Sequence, residues 1–456
     1  MQQRRADGSL APPTGLNRKQ RRALAAAAAG DGTPETAPAA KRRKLALADA
    51  AAFWKEHVIT ISGMELPVPA LSFATAGLPM GVEHMLKDSG YTQPSPIQSA
   101  AWPIVNTGRD VVAVARTGSG KTLGFLLPAM MRIQAIIAGG GVQKAATGPM
   151  VNACQPLGLV LAPTRELAVQ IHDEAKRFAT AYAPPLTTQV IFGGTNKKLQ
   201  IATLRCTPPL LVVATPGRLL DLHSMRVLSL ARVCVFCLDE ADRLLDLGFA
   251  NDIHRIADAI GPGDADATND VLRQTLLFTA TWPQSVVRVA ASVLRDPVRI
   301  SVGNYEGGNL VANESVTQHV MVIPQAEKAA ALTALLASFP AQSKVIVFTR
   351  TKRGCARTCA KLWDAGYACD ALHGDREQWE RTDIMEKFKI PLATRPAETT
   401  GATFDTVTPA ASTINLLFAT DVAARGLDVK DISHVVNYDF PQSGGKAGIE
   451  EYVHRI

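Results

Sequence analysis

From Val111 onward, short runs of aliphatic and β-branched residues alternate with longer stretches of helical period. The runs are Val111–Ala115, Gly158–Ala162, Gln189–Phe192, Leu210–Ala214, Cys234–Leu238 and Thr275–Phe278. Strands this continuously apolar are buried on both faces, and helices between them predict a parallel sheet. A second series begins near Val316, with Val320–Ile323, Lys344–Phe348, Ile414–Phe418 and His434–Asn437. Two α/β domains in tandem are therefore expected, over 73–302 and 316–456. Between them, a stretch with Gly303, Gly307, Gly308 and two asparagines has the composition of a linker, bounded as 303–315. Ala138 to Pro156 and Ile390 to Thr413 read as surface insertions, being rich in Gly or in Thr, Ala and Pro.

A chain of 456 residues exceeds what one hydrophobic core supports, which agrees with two large domains. With 47% hydrophobic and 20% charged residues it is neither collagen-like nor wholly disordered. No apolar run of about 18 residues and no signal-peptide core stand out, so the expectation is a soluble intracellular protein without a membrane partner. The net charge of +7 is concentrated at the start: residues 1–50 hold ten Lys and Arg against four Asp and Glu. With Ala, Pro and Gly runs and no sustained apolar period, 1–50 is expected to be a disordered basic tail, followed by an N-terminal extension over 51–72. The clusters Arg18–Arg22 and Lys41–Lys44 suit nuclear import, an RNA-gripping arm or a solubilising tail. The seven cysteines read as reduced thiols. Cys234 and Cys237 form a C-x-x-C inside an apolar strand, where an offset of three predicts opposite faces and core packing.

Candidate chemistry begins at Ala115-Arg116-Thr117-Gly118-Ser119-Gly120-Lys121-Thr122, which follows a strand and opens an apolar helical stretch. That is the setting of a phosphate-binding loop. Small residues let backbone N–H groups converge on phosphate oxygens at a helix N-terminus, Lys121 reaches the outer phosphates, and the Thr122 hydroxyl ligates magnesium. Such a loop needs an acid at the C-terminal end of a neighbouring strand. Leu238-Asp-Glu-Ala-Asp242 supplies it, with Asp239 as a holder of Mg2+ and Glu240 placed to orient or deprotonate an attacking water.

Taken together, these residues resemble the DEAD-box RNA helicases, a branch of helicase superfamily 2. The ordered series begins with Phe73, Gly90–Gln98, the phosphate loop, Pro163–Ala168, Gly193-Gly194, Thr215–Arg218 and Asp239–Asp242. It continues through Thr279–Thr281, Val345–Arg350, Gln378 with Arg381, Ala419–Asp428 and His454-Arg455. The resemblance implies two tandem RecA-like domains with parallel sheets, the second incomplete. It also implies an RNA-dependent ATPase that remodels or locally unwinds RNA.

The resemblance implies roles for individual residues as well. The Gln98 amide suits adenine N6 and N7, and Tyr91 suits stacking on the ring; core packing is the alternative for Tyr91 and Phe73, and for Phe73 it weighs equally with a supporting role behind the base. Thr279 and Thr281 stand where the family has Ser-Ala-Thr and keep hydroxyls able to bond Asp242, the link that couples nucleotide to strand separation. Thr164, Arg165, Gly193, Gly194, Thr215, Gly217 and Arg218 are implied on phosphates and sugars of one RNA strand. Thr349, Arg350, Gln378, Arg381 and Thr420 are the counterparts in the second domain. Contacts of this kind read backbone and 2′-hydroxyls, so little base specificity is expected. Asp428 is implied at the ATP ribose, and ATP and RNA are expected to bind cooperatively.

The family pattern continues His-Arg-Ile-Gly-Arg-x-Gly-Arg, whereas this sequence stops at Ile456. The two later arginines are the groups expected at the γ-phosphate, and loss of an arginine finger costs about 10³ to 10⁵ in rate. The expectation is an incomplete copy of a longer protein. The alternatives are a truncated, hydrolysis-deficient form that binds ATP and RNA without turnover, and a translocase acting on DNA. The extension around Trp54–Gly63 resembles that of the subgroup active in ribosome assembly and messenger processing. With the basic runs it points to the nucleus or nucleolus, and the Arg- and Ala-rich start leaves a mitochondrial address open.

Overall fold

A computed structural model describes residues 49–63, 67–139, 153–261, 273–303, 316–340, 343–390, 414–421, 431–441 and the single positions 429, 448, 452 and 455. Nearly all of the basic tail, the expected linker after Gly303, most of both insertions, and Asp428 lie outside these residues. The chain divides into two units, Met1–Asn309 and Leu310–Ile456.

The first unit is built on eight strands: β1 Ile59–Ser62, β2 Val111–Ala115, β3 Gly158–Leu161, β4 Thr188–Ile191, β5 Leu211–Ala214, β6 Val235–Leu238, β7 Gln274–Thr279 and β8 Val298–Val302. Their order in the sheet is β1-β8-β2-β7-β6-β3-β5-β4. All neighbours run parallel except β1, which pairs antiparallel with β8, Ile59 opposite Val302. Both strands escape the sequence pattern: β1 alternates in exposure, and the apolar residues of β8 are interrupted by Arg299 and Ser301.

Because strand side chains alternate, Val111 and Ala113 enter one core and Val112 and Val114 the other. The first core is covered by helices α1 Met80–Asp88, α2 Pro96–Asn106, α3 Lys121–Ala138 and α4 Arg165–Ala179. The opposite core is covered by α5 Lys197–Cys206, α6 Pro216–Ser224, α7 Ala241–Asp246, α8 Ala250–Ile260 and α9 Gln284–Val293. α3 lies close against β7 because Gly124 has no Cβ, which would sit 3.2 Å from a Phe278 ring carbon, and Phe125 meets Phe278 edge-on at 5.3 Å. By length and composition α3 is also apolar enough to cross a membrane, but most of it is buried in this core. Cys234 and Cys237 are a correction to the sequence reading. Both enter the same core, since Cys234 precedes β6 and its thiol turns to donate to Leu157 O at 3.1 Å.

The ends of the central strands are tied by buried polar groups. Asp110 precedes β2 and accepts from Thr275 N at 2.8 Å and Arg295 N at 2.7 Å. Gln274, fully buried, donates to Val105 O at 2.8 Å and Arg109 O at 2.7 Å.

The second unit has four parallel strands, β9 Val345–Phe348, β10 Cys369–Leu372, β11 Leu416–Ala419 and β12 His434–Asn437, in the order β10-β11-β9-β12. Helices α10 Lys328–Ser338 and α11 Lys352–Asp364 pack on one face, and α12 Gln378–Lys389 packs on the other through Ile384, Met385 and Phe388. Val320–Ile323, expected as a strand, is irregular, with Val320 and Val322 83% and 97% exposed. Its continuous apolar run finds no neighbouring strand among the described residues, and without a ladder partner the chain does not become a strand.

Asp110→Ala leaves the Thr275 and Arg295 N–H groups without their acceptor. A loss of about 2–4 kcal/mol is expected in urea unfolding, and a smaller one for Asp110→Asn, which keeps one carbonyl oxygen. Equal stability of all three proteins would refute this bridging role.

Candidate functional site

The chemistry-bearing loops all leave the C-terminal ends of the parallel strands, so sheet order decides which of them meet. The phosphate loop follows β2, Thr279–Thr281 ends and follows β7, and Asp239–Asp242 follows β6; these three strands are neighbours. α3 leaves β2 for one face and α9 leaves β7 for the other, which opens a crevice at the strand ends, the usual ligand position in such sheets.

In the loop, Arg116, Thr117 and Gly118 are exposed, Ser119, Gly120 and Thr122 half-buried, and Ala115 and Lys121 buried. Gly118 and Gly120 have φ of +72° and +88°. Gly120 is required twice over, because a Cβ there would lie 2.6 Å from Gln98 Nε2. Gln98 donates to Gly120 O at 3.0 Å, and its Oε1 accepts from Ser95 N at 3.0 Å at the start of α2. One N–H and one lone pair of the Gln98 amide remain for an adenine edge. Tyr91 is 42% exposed, as a stacking residue must be, whereas Phe73 is 4% exposed and packs near Trp102.

Lys121 donates to Ala115 O at 2.7 Å and Arg116 O at 3.0 Å, so the loop's own carbonyls hold the ammonium. Burial pushes its pKa down, and the field of Asp239, Glu240 and Asp242 opposes that shift. Asp239 is 3% exposed and pushed up to about 7, chiefly by burial and then by repulsion from Glu240, with Lys121 acting against both. A carboxylate so starved of solvation suits a cation. With the Thr122 hydroxyl it offers hard oxygen donors, few enough for an ion that arrives already bound to phosphates. Among the described residues no cluster of three or more His, Cys, Asp or Glu side chains forms a metal cage. The buried Ser119 Oγ has no protein partner, a vacancy that a phosphate oxygen fits. Glu240 adopts φ +47°, a left-handed conformation uncommon outside glycine, and its N–H donates to Asp239 Oδ1 at 2.9 Å.

Asp242 is gripped by the loop after β7. Its Oδ2 accepts from Thr281 N at 2.9 Å and Thr281 Oγ1 at 2.7 Å, and its N–H donates to Thr279 Oγ1 at 3.3 Å. Thr279 Oγ1 in turn donates to Thr281 O at 3.0 Å.

The implied RNA contacts of the first unit follow β3, β4 and β5, the other half of the same edge. Thr164 caps α4, its Oγ1 accepting from Leu167 N at 3.3 Å. The Arg165 guanidinium lies over Gly194, whose φ is +80° and where any Cβ would collide with it; Gly193 adjoins. Thr215 precedes α6, Gly217 is open, and Arg218 donates to Gln200 Oε1 at 2.9 Å while pairing with Asp221 at 3.7 Å. Gln200 was not read from the sequence. Nothing in its spacing marks it, because the contact joins elements 18 residues apart.

In the second unit Thr349 follows β9, Thr420 follows β11, and Gln378 and Arg381 lie in the first turn of α12 after β10. Arg350 is exposed, and its N–H donates to Asp439 Oδ2 at 3.0 Å. Thr349 is fully buried, prolonging β9 by donating from its N–H to Ala419 O at 2.9 Å, and so offers little surface to a ligand. Sequence reasoning gave Arg455 no role. It is 5% exposed and forks onto Asp421 at 2.6 and 2.8 Å, while Nη1 donates to Asn437 Oδ1 at 2.9 Å and Asp439 O at 2.6 Å.

Residues 95–289 match the family described as DEAD/DEAH box helicase, and 327–456 match the helicase conserved C-terminal domain. The chain belongs to the DEAD-box RNA helicase family, and its two units are RecA-like α/β domains. DEAD-box ATP-dependent RNA helicase 14 of Arabidopsis thaliana is 40% identical over 405 residues, covering 89% of this chain and 57% of that protein. Helicase 20 of the same plant is 39% identical over 407 residues, covering 88% and 70%. Saccharomyces cerevisiae Dbp5 bound to Gle1 and IP6 is similar with a TM-score of 0.58 at 25% identity, covering 85% of each chain. The chain spans little more than half the length of several relatives, 57% of helicase 14 and 55% of helicase 46 from the same plant.

The Asp239 carboxyl gives a test by pH. Its folded pKa stands above the usual value of about 4, so the folded state holds the proton more tightly, and stability falls as pH rises from about 4 to about 7. Asp239→Asn abolishes that fall. In urea unfolding without nucleotide and with a chelator, the variant's stability relative to wild type is expected to increase from pH 5 to pH 8. A difference that does not change with pH would mean that Asp239 ionises as an exposed carboxylate does.

Proposed function

We propose that this chain is the ATP- and RNA-handling part of an ATP-dependent RNA helicase that uses Mg2+·ATP to remodel or locally open RNA. The observation that carries the reading is the Asp242 grip on Thr279 and Thr281. It ties the loop after β6, which carries the carboxylates, to the loop after β7, and β6 is the strand that adjoins β3, the first of the strands whose loops carry candidate RNA contacts.

Lys121 would exchange its loop carbonyls for phosphate oxygens, a trade that restores the charge partner burial denies it. Thr122 and Asp239 would hold magnesium, which supplies charge neutralisation at the phosphates. Glu240 would orient a water or accept its proton, and its charge is near enough to act on both Asp239 and Lys121. Gln98, with Tyr91, would select adenine through the polar capacity left on its amide. Arg165, Gly194, Gly217 and Arg218 present a guanidinium, open backbone and half-buried charge suited to phosphates and sugars, which accounts for binding with little base specificity. The basic clusters Arg18–Arg22 and Lys41–Lys44 support a nuclear or nucleolar site and work in ribosome biogenesis or RNA processing.

Hydrolysis of ATP with Mg2+ is expected to rise with single-stranded RNA and not with DNA of the same sequence. Glu240→Gln is expected to lower the stimulated rate by about 10² to 10⁴ while leaving ATP and RNA binding in place. Equal stimulation by DNA would replace the RNA reading with a general nucleic-acid translocase, and a Glu240→Gln variant as active as wild type would remove Glu240 from the chemistry.

A further inference from the structure

Trp379 is 72% exposed, the most exposed large aromatic side chain among the described residues. Leaving an indole in water forgoes a large hydrophobic contribution, and this one belongs to neither core cluster of its unit. It stands in the first turn of α12 between Gln378 and Arg381, both candidate RNA contacts. The loop before it is tied to the loop after β9, since Lys352 pairs with Asp375 and its side chain passes 3.5 Å from where a Gly374 Cβ would be. The segment after β9 is exposed and basic, with Arg350 in the loop and Lys352 and Arg353 in the first turn of α11. An exposed aromatic plane therefore adjoins a surface suited to a nucleic-acid backbone.

We propose that Trp379 is a stacking platform for one unpaired base of the RNA strand held by this unit, an inference that rests on the RNA reading above. The charges around it select the base over the phosphate. Glu377 and Glu380 stand beside Trp379 in the sequence, and negative charge in this turn repels a phosphate but not a neutral base. Glu380 is moreover engaged, accepting from Arg376 Nη1 at 3.0 Å and from Glu377 N at 2.8 Å, so it does not compete for the aromatic face. A protein partner fits less well, since hot-spot tryptophans are ringed by groups that exclude water, and the neighbours here are Glu377, Gln378, Glu380 and Thr382. Stacking tolerates any base, so Trp379 adds affinity for single strands without adding a sequence preference.

The test uses the full 456-residue chain with Mg2+ and a non-hydrolysable ATP analogue. Affinity is measured for a fluorescent oligouridine and for the same strand carrying abasic sites. Trp379→Ala is expected to weaken oligouridine binding about 5- to 150-fold, Trp379→Phe to restore most of it, and the two variants to match wild type on the abasic strand. An unchanged affinity in Trp379→Ala overturns the platform while leaving the RNA reading intact. An equal loss on the abasic strand overturns stacking in favour of a backbone or structural role. Failure of the wild-type chain to bind either strand overturns the RNA reading and this inference with it.

Discussion

Three charged side chains at the strand ends, Lys121, Asp239 and Asp242, are 7%, 3% and 5% exposed. Withdrawing a charge this far costs several kcal/mol unless partners replace the lost water, and the rest of the first unit answers that demand. Parallel strands bring Lys121 to the same edge as Asp239 and Asp242, although more than a hundred residues separate it from them in sequence. The loop carbonyls take Lys121, the β7 loop takes Asp242, and Asp239 is left with a raised pKa because it is the least compensated. The same shortage that makes Asp239 costly makes the cleft receptive to a cation carried by a polyphosphate.

Much of this was legible in the sequence because the fold repeats a simple rule. Continuous apolar runs became parallel strands, and loops after them carried the polar residues, so motif order translated into positions along one edge. What escaped was set by pairing and not by composition. β1 alternates in exposure and β8 is broken by Arg299 and Ser301, and their partnership is antiparallel across most of the unit's length, which no local pattern announces. Val320–Ile323 failed the other way, an apolar run with a strand's composition and no ladder to join among the described residues. The C-x-x-C of Cys234 and Cys237 misled because the period of two holds only inside the strand, and Cys234 stands one residue outside it.

Within the site, residue types were readable and their internal economy was not. Gln98 serves the start of α2 and the phosphate loop at once, so only half of its amide is left over. The glycines at 120 and 194 look alike in sequence, yet one makes room for an amide and the other for a guanidinium. Arg455 has the same character: a matched motif residue whose fork onto Asp421, with bonds to Asn437 and Asp439 O, fastens the ends of β11 and β12 together.

The position of β6 joins the candidate nucleotide site and the candidate RNA contacts of the first unit. In the order β2-β7-β6-β3-β5-β4, β6 is the seam between strands that carry the phosphate loop and Thr279–Thr281 and strands that carry Thr164, Arg165, Gly194 and Arg218. Asp239 N donates to Leu161 O at 3.0 Å, so the loop after β6 is bonded to β3 at the same point where its carboxylates face Lys121. Asp242 has both side-chain oxygens occupied, Oδ2 by Thr281 and Oδ1 by Arg243 N at 2.9 Å. A displacement of that loop must therefore break buried hydrogen bonds to charged groups, at about 1.5–3 kcal/mol each, or carry its neighbours with it. Movement of the neighbours is the less costly course, and the neighbours on one side are the loops that hold the candidate RNA contacts.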